Sequence, residues 1–284
     1  MQLTLIEPEK PSTPLSLNHA CEVKSRLSKS ILARGNGYTR GYDFTLNPYV
    51  GCQFGCAYCY AVFFVPDVEK AQNWGKWVEV KENALALLRT HTGLAGSSIF
   101  IGSVTDPYQP IERQTRLTRS LLEFMATVHP QPRIVIQTRS PFVVDDVAIL
   151  RRFAHLRVNM SVTTDSEVIR KRFEPNCASI DRRLQALTHL KAQGIRTCAC
   201  ISPMLPINDP KDFARRLIET GTDRVGASYF HRGDGRPFAT STRKIGLELA
   251  EEYGWTAEKF VETVQQLRRY LPQYEGSGMA FRPE

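Results

Sequence analysis

Cys52-Gln53-Phe54-Gly55-Cys56-Ala57-Tyr58-Cys59 is a C-x3-C-x2-C run, and it follows directly on Phe44–Val50, an apolar stretch with the composition of a β-strand. Such a loop can wrap three thiolates around one small centre. Gly51 and Gly55 give it the backbone freedom to do so. Thiolates are the ligands of iron–sulfur clusters, and a ferredoxin uses four of them on one [4Fe–4S] cube. Here the next cysteine is Cys177, far along the chain. Three thiolates on a four-iron cube leave one iron open for a further ligand. Two other readings stand beside this one. A Cys3His zinc site is the first, although the nearest downstream histidine is His91 and the spacing is not that of a finger. Three cysteines packed in a core are the second.

Outward from the motif, short apolar runs alternate with longer amphipathic ones. After Phe44–Val50 the strand candidates are Ser98–Ser103, Arg133–Thr138, Leu156–Val162, Arg196–Ile201 and Arg224–Ser228. Helix candidates separate them: Glu82–Arg89, Gln114–Val128, Val144–Phe153, Ser179–Gln193 and Asp209–Thr220. Gly194 sits where a C-terminal cap glycine belongs, and Asp209-Pro210 fits an N-cap with proline at the first helical position. Six strands alternating with helices make a parallel sheet, and crossovers of one hand curl it into a barrel or a partial barrel.

The strand faces carry more. Buried parallel strands are usually apolar on both sides. Here Val135, Gln137 and Arg139 share one face, as do Asn159, Ser161 and Thr163, and Cys198, Cys200 and Ser202. The opposite faces pack on helices in a barrel, so these polar faces are expected to point inward. Burying them is costly unless the interior is wet or holds a polar ligand. A strand register shifted by one residue would exchange the faces.

The flanks differ from this pattern. Residues 1–41 read as an N-terminal extension, 42–230 as the barrel, and 231–284 as a C-terminal loop and helical appendage. The loop carries Gly233, Gly235 and Pro237; the helix is expected over Thr256–Tyr270, with Val261, Val264, Leu267 and Tyr270 as its buried stripe. With 284 residues, 42% hydrophobic and 23% charged, the composition is that of an ordinary globular protein. No apolar run reaches membrane-spanning length, and the start lacks a secretory signal, so a cytoplasmic location is expected. Seven cysteines, an odd number, argue against a disulfide scaffold. The formal charge of +8 suits a polyanionic partner such as nucleic acid. Basic pairs such as Arg170-Lys171-Arg172, Arg182-Arg183 and Arg215-Arg216 are scattered, however, and read equally as solvated helix faces.

The run from Leu46 to Ala61, with an aromatic residue before the last cysteine, resembles the radical S-adenosylmethionine enzymes, in particular the spore photoproduct lyase or DNA repair photolyase-like branch. Gly102–Glu112, Thr163–Arg170 and Phe173-Glu174-Pro175 extend the resemblance, which covers roughly Ile31 to Tyr229. It implies a partial (β/α)6 TIM-type barrel. It also implies that Cys52, Cys56 and Cys59 ligate three irons of a [4Fe–4S] cluster, and that S-adenosylmethionine chelates the fourth. Reductive cleavage of the sulfonium then gives methionine and a 5′-deoxyadenosyl radical, with a flavodoxin- or ferredoxin-type protein as electron donor. Tyr58 is expected against the adenine. Ser103, Thr105 and Asp106 are expected at the methionine amino group, and Arg139 at its carboxylate. Ser161 and Thr163 are placed for ribose hydroxyls, and Glu174 near the cofactor. Each of these also has a plainer role open to it: Asp106-Pro107 as a turn, Arg139 as a partner for Asp145 or Asp146.

One departure from the branch matters. Spore photoproduct lyases use a cysteine near the end of strand two as hydrogen-atom donor, whereas Ser103-Val104-Thr105-Asp106 contains none. Cys198 and Cys200 are candidate replacements, or else two small residues packed in a core. The expected function is a lyase or repair-type radical reaction on DNA or a related nucleic acid. The alternatives are a radical enzyme acting on a small molecule or peptide, and a non-catalytic iron–sulfur protein.

Overall fold

The computed structural model describes residues 21–283 except 232, 234, 236–239, 277, 279 and 280. Residues 1–20 of the expected extension, and Pro237 of the expected loop, lie outside the described residues. Ten strands are present among the described residues: β1 Glu22–Arg26, β2 Leu32–Arg34, β3 Phe44–Leu46, β4 Tyr49–Gly51, β5 Trp77–Lys81, β6 Ser98–Ile101, β7 Arg133–Thr138, β8 Leu156–Ser161, β9 Arg196–Ile201 and β10 Arg224–Ala227. A seven-stranded sheet runs β10-β9-β8-β7-β6-β3-β2. Its six strands from β3 to β10 are mutually parallel, and only β2 is antiparallel, against β3. Among the described residues β2 and β10 do not pair, so the curled sheet stays open. A second sheet, β1-β5-β4, lies beside it.

The expected first strand is two strands in two sheets. Pro48 has no N–H to continue a ladder. Leu46 therefore ends its pairing at Ile101 of β6, while Tyr49 pairs with Val80 of β5. The crossover delivers the cysteine loop from β4 to the top of the large sheet.

Helix boundaries follow local chemistry. Ser179, Asp209 and Thr256 cap their helices, each side chain accepting backbone N–H bonds from the first turn. The expected Gln114–Val128 helix is broken instead into Glu112–Thr115 and Leu117–Met125, with Arg116 left-handed at φ 51°. The Glu112 carboxylate accepts from Thr118 N at 2.9 Å and Arg119 N at 3.1 Å, so it caps the second helix from within the first. Val144–Phe153 is a 3-10 segment, Pro141–Asp146, followed by a short helix, Val147–Leu150. In the last helix, Ala257–Tyr270, Val264 and Leu267 are buried, but Val261 and Tyr270 are exposed. A strict three-residue step drifts about 60° per step on a helix. The stripe that faces inward is Phe260, Thr263, Val264 and Leu267, continued by Leu271.

The faces of the large sheet are as the alternation predicts. Ile134, Ile136, Val158, Met160, Ala199 and Ile201 belong to the main core. The inner face carries Gln137, Asn159 and Ser161, linked across strands. Gln137 Nε2 donates to Ser161 Oγ at 3.0 Å, Asn159 Nδ2 to Gln137 Oε1 at 3.3 Å, and Arg157 Nε to Asn159 Oδ1 at 2.9 Å. No helix among the described residues is long and apolar enough to cross a membrane.

Candidate active site

Cys52, Cys56 and Cys59 line one cavity of about 270 Å³. Its walls are the C-terminal ends of the parallel strands: Gly102–Asp106 after β6, Gln137–Arg139, Ser161, Ser202 and Ser228. The loop that carries the thiols is held by backbone bonds. Gly55 N donates to Cys52 O at 3.3 Å and Cys59 N to Cys56 O at 3.2 Å. From outside, Ala57 N donates to Phe173 O at 2.8 Å, Asn176 Nδ2 to Gln53 O at 3.0 Å and Arg243 Nη1 to Cys56 O at 3.2 Å. Gly55 has φ +61° and lies on Gly75, where a Cβ would come 2.7 Å from Gly55 Cα. Both glycines are therefore required for this approach.

The donor set fits an iron–sulfur cluster. Burial, together with Asp106 and the other two cysteines, raises the Cys52 thiol; burial and Cys56 push Cys59 to about 11. Cys56 is lowered by its contact with Cys177, whose Sγ lies 3.9 Å away, against the effect of burial. Three thiolates crowded in one pocket repel one another, and a cationic iron core relieves that repulsion. Among the described residues no three ligating groups converge on a single metal ion. A cube places each thiolate on a different iron, so convergence on one point is not what it requires.

Behind the cysteine loop lies a buried charge network. Glu174 is fully buried, and its Oε1 accepts from Arg139 Nη1 at 2.9 Å, Thr163 Oγ1 at 2.9 Å and the Tyr58 hydroxyl. Its Oε2 faces Arg183 Nη2 at 2.6 Å, in an ion pair without hydrogen-bond geometry. Burial acts to raise this carboxyl, but Arg183 and Arg139 outweigh it and hold it at about 2. Arg139 also donates to the Tyr58 hydroxyl, and its guanidinium carbon stands 5.6 Å from the Tyr58 ring centre.

This placement sorts the residues singled out from sequence. Tyr58, Ser103, Thr105, Asp106, Arg139 and Ser161 all line the cavity with the three cysteines. Thr163 and Glu174 do not; the Thr163 hydroxyl donates to Glu174 at 2.9 Å. Asp106 accepts from Thr138 Oγ1 at 2.6 Å, Arg139 N at 2.8 Å and Tyr108 N at 2.9 Å, so its carboxylate ties the β6 loop to the end of β7. Thr105 Oγ1 donates to Gly51 O at 2.6 Å, and Ser103 Oγ accepts from Asn47 Nδ2 at 2.9 Å. Arg139 pairs with Glu174, not with Asp145 or Asp146. Cys198 and Cys200 are fully buried and stand outside the cavity lining.

Other residues enter that the sequence did not single out. Tyr38 and Tyr60, bonded to each other through their hydroxyls at 2.5 Å, line the cavity, as do Ser228, His231, Thr242 and Phe281. Tyr38 lies before residue 42, and His231, Thr242 and Phe281 lie after 230. Both flanks read as extensions thus supply wall residues. Arg183 had a readable signal, since it stands on the apolar stripe of its helix with Ile180, Leu184, Leu187 and Leu190. Cys177 had none.

An open, mostly parallel sheet with a three-thiol loop over its strand ends defines a class of cluster-bearing partial barrels. Residues 46–217 match the model of the Radical SAM superfamily, and the chain belongs to that superfamily. The family uses a [4Fe–4S] cluster and S-adenosylmethionine. An uncharacterized protein of Methanocaldococcus jannaschii is 34% identical over 166 residues, 58% of this chain and 62% of that protein. A radical SAM Nalpha-GlyT isomerase of Pseudomonas phage M6 is 25% identical over 202 residues, 66% of this chain and 39% of that protein. The chain thus spans less than two thirds of these curated relatives. Among solved structures, spore photoproduct lyase complexed with dinucleoside spore photoproduct shares the fold, with a TM-score of 0.60 at 14% identity over 98% of this chain and 87% of that one.

Proposed function

We propose that Cys52, Cys56 and Cys59 hold the [4Fe–4S] cluster, and that the cavity they line receives S-adenosylmethionine and a nucleic-acid substrate for a lyase or repair-type reaction. The observation that carries this reading is the shared cavity: three thiols and an inward polar wall meet at the strand ends. When bound, the cluster and S-adenosylmethionine supply reductive cleavage to a carbon radical. The chain's own part is positioning and exclusion of water. Arg139 and Arg183 fix Glu174, which fixes Tyr58 between Cys56 and Cys59, so the ligand loop is held rigid from behind. Ser161, Ser202 and Ser228 offer hydroxyls along the wall for a ribose. Asp106 shapes the loop at the amino-acid end.

The nucleic-acid part of the reading is supported by the dinucleoside bound in the spore photoproduct lyase structure and by the formal charge of +8. The electron donor is proposed to be an acidic flavodoxin- or ferredoxin-type protein. The test is anaerobic: reconstitute with iron and sulfide, add S-adenosylmethionine and dithionite, and measure 5′-deoxyadenosine by mass spectrometry. Formation in the parent and none in Cys56→Ala is expected. An intact cluster with no 5′-deoxyadenosine, even with damaged oligonucleotides present, would overturn the reading in favour of an electron carrier. Binding of those oligonucleotides should weaken steeply with added salt.

A further inference from the structure

Cys198 and Cys200 are two thiols inside a barrel proposed to generate a carbon radical, and the mechanism above uses neither. Their position makes this notable. Cys200 is the register partner of Ser161 on β8, and Ser202 follows it on the same face. Ser161 and Ser202 both line the cavity, yet Cys200 between them does not and is fully buried. Among the described residues the apolar side chain packed against Cys198 and Cys200 is Phe281, and Phe281 itself lines the cavity. Phe281 therefore stands between the cavity and both thiols on their apolar side, while Gln137, also on the cavity wall, faces Cys200.

That ring is held from several sides. The C-terminal segment bridges to β10, with Val225 N donating to Gln273 O at 2.9 Å and Glu275 N to Val225 O at 3.0 Å. Arg282 O accepts from Arg157 Nη2 at 2.8 Å, on β8. Phe281 packs edge-on to Tyr38 with ring centres 5.2 Å apart, and tilts against Phe100 of β6 at 6.2 Å. Pro283 reaches Gly41, next to β3. Described residues of this segment thus touch β10 through Gln273 and Glu275 and lie beside Gly41, next to β3, through Pro283, with Phe281 on the cavity wall.

An alkyl radical takes a hydrogen atom readily from a thiol, because S–H is weaker than C–H. The radical carbon gains the hydrogen, the new C–H bond replaces S–H, and a thiyl radical remains on the protein. Resting on the proposed radical chemistry, we propose that Phe281 is a shield residue that keeps Cys198 and Cys200 from quenching the substrate-directed radical. Its C-terminal strap is then a working wall of the site.

The experiment has two readings on the same proteins. The first needs no cofactor: label the folded, cluster-free protein with N-ethylmaleimide and locate modified cysteines by peptide mass spectrometry. Phe281→Ala should speed labelling of Cys198 and Cys200 on the order of tenfold or more, as exposure governs thiol reactivity, and Phe281→Leu should keep it slow. The second runs S-adenosylmethionine cleavage in deuterated buffer. Phe281→Ala should raise deuterium in 5′-deoxyadenosine above the parent, and adding Cys198→Ser and Cys200→Ser should remove the rise. Labelling unchanged in Phe281→Ala would overturn the shield, as would parent deuterium that disappears on replacing the cysteines alone, which would make them donors. Faster labelling with no 5′-deoxyadenosine in any protein would establish the cover but overturn its purpose, together with the radical reading.

Discussion

Two three-membered ion clusters in this molecule are mirror images in charge. Behind the cysteine loop, one carboxylate, Glu174, lies between two arginines, Arg139 and Arg183. On the helix Pro210–Glu219, one arginine, Arg215, lies between two carboxylates, Asp212 at 2.6 Å and Glu219. The distances are alike. The surroundings are not: the Glu174 and Arg183 side chains are 0% exposed, whereas Arg215 is 57% exposed. In water each partner of Arg215 can be replaced by solvent at little cost. In the interior nothing can replace Glu174, so the same geometry becomes a constraint on folding and on the site.

The comparison is tested hardest by Glu174→Gln. The amide keeps the shape and leaves Arg183 with no compensating charge. The expected loss is about 3–5 kcal/mol in denaturant unfolding, because breaking a buried pair strands its partner. A loss no larger than that of a surface substitution would mean that water reaches the network. Glu174→Gln combined with Arg183→Met should recover part of the loss, since only Arg139, which is 17% exposed, is then left without its carboxylate.

Acid should show the same energy by another route. A carboxyl held at about 2 instead of the ordinary 4.5 stabilises the fold above pH 4.5. That contribution falls away as pH drops from 4.5 towards 2. Between those limits the parent should lose on the order of 3 kcal/mol more than Glu174→Gln does, the difference isolating this group from other carboxyls. Parallel acid limbs for the two proteins would show that Glu174 is not the group titrating there.

A packing change sits between the extremes. Gly75→Ala drives a methyl to 2.7 Å from Gly55 Cα, at a φ of +100°. Neither backbone can yield without moving the cysteine loop. A cost of about 1–3 kcal/mol is expected, with a lower yield of reconstituted cluster measured by iron content.

The two ion clusters also mark what a sequence can and cannot carry. The parallel sheet was legible because alternation of strand and helix is local, and so was the inward polar face, since Gln137, Asn159 and Ser161 alternate with apolar neighbours. That Cys52, Cys56 and Cys59 share one loop was legible from their spacing, whereas the spacing left open what they hold. Charge burial was not legible from the basic pairs themselves, although the apolar stripe around Arg183 carried a signal for that one residue. Arg182-Arg183 and Arg170-Lys171-Arg172 read as solvated faces, yet Arg183 and Arg170 are buried while Lys171 and Arg172 are exposed. Adjacent residues on a helix are about 100° apart, so one residue of a basic pair can face the core while its neighbour faces solvent. The pairing of Glu174 with Arg139 joins residues 35 apart in sequence, and no local pattern encodes it. The role of the C-terminal segment is equally non-local: Phe281 gains its place only when Val225 and Arg157 are in position.

The smallest expected effect completes the contrast. Arg215→Ala removes the centre of a cluster whose bond lengths rival those around Glu174. Its partners Asp212 and Glu219 are 47% and 58% exposed, and released from Arg215 they are simply hydrated. Asp212 also keeps its place in the first turn of its helix, where Asp209 caps the backbone and the helix dipole favours an acid. The melting midpoint of Arg215→Ala should therefore stay within error of the parent at moderate salt, and salt should shift both proteins alike. A clear drop that high salt abolishes would mean that these exposed charges couple to the interior. In that case desolvation alone would not distinguish the two clusters.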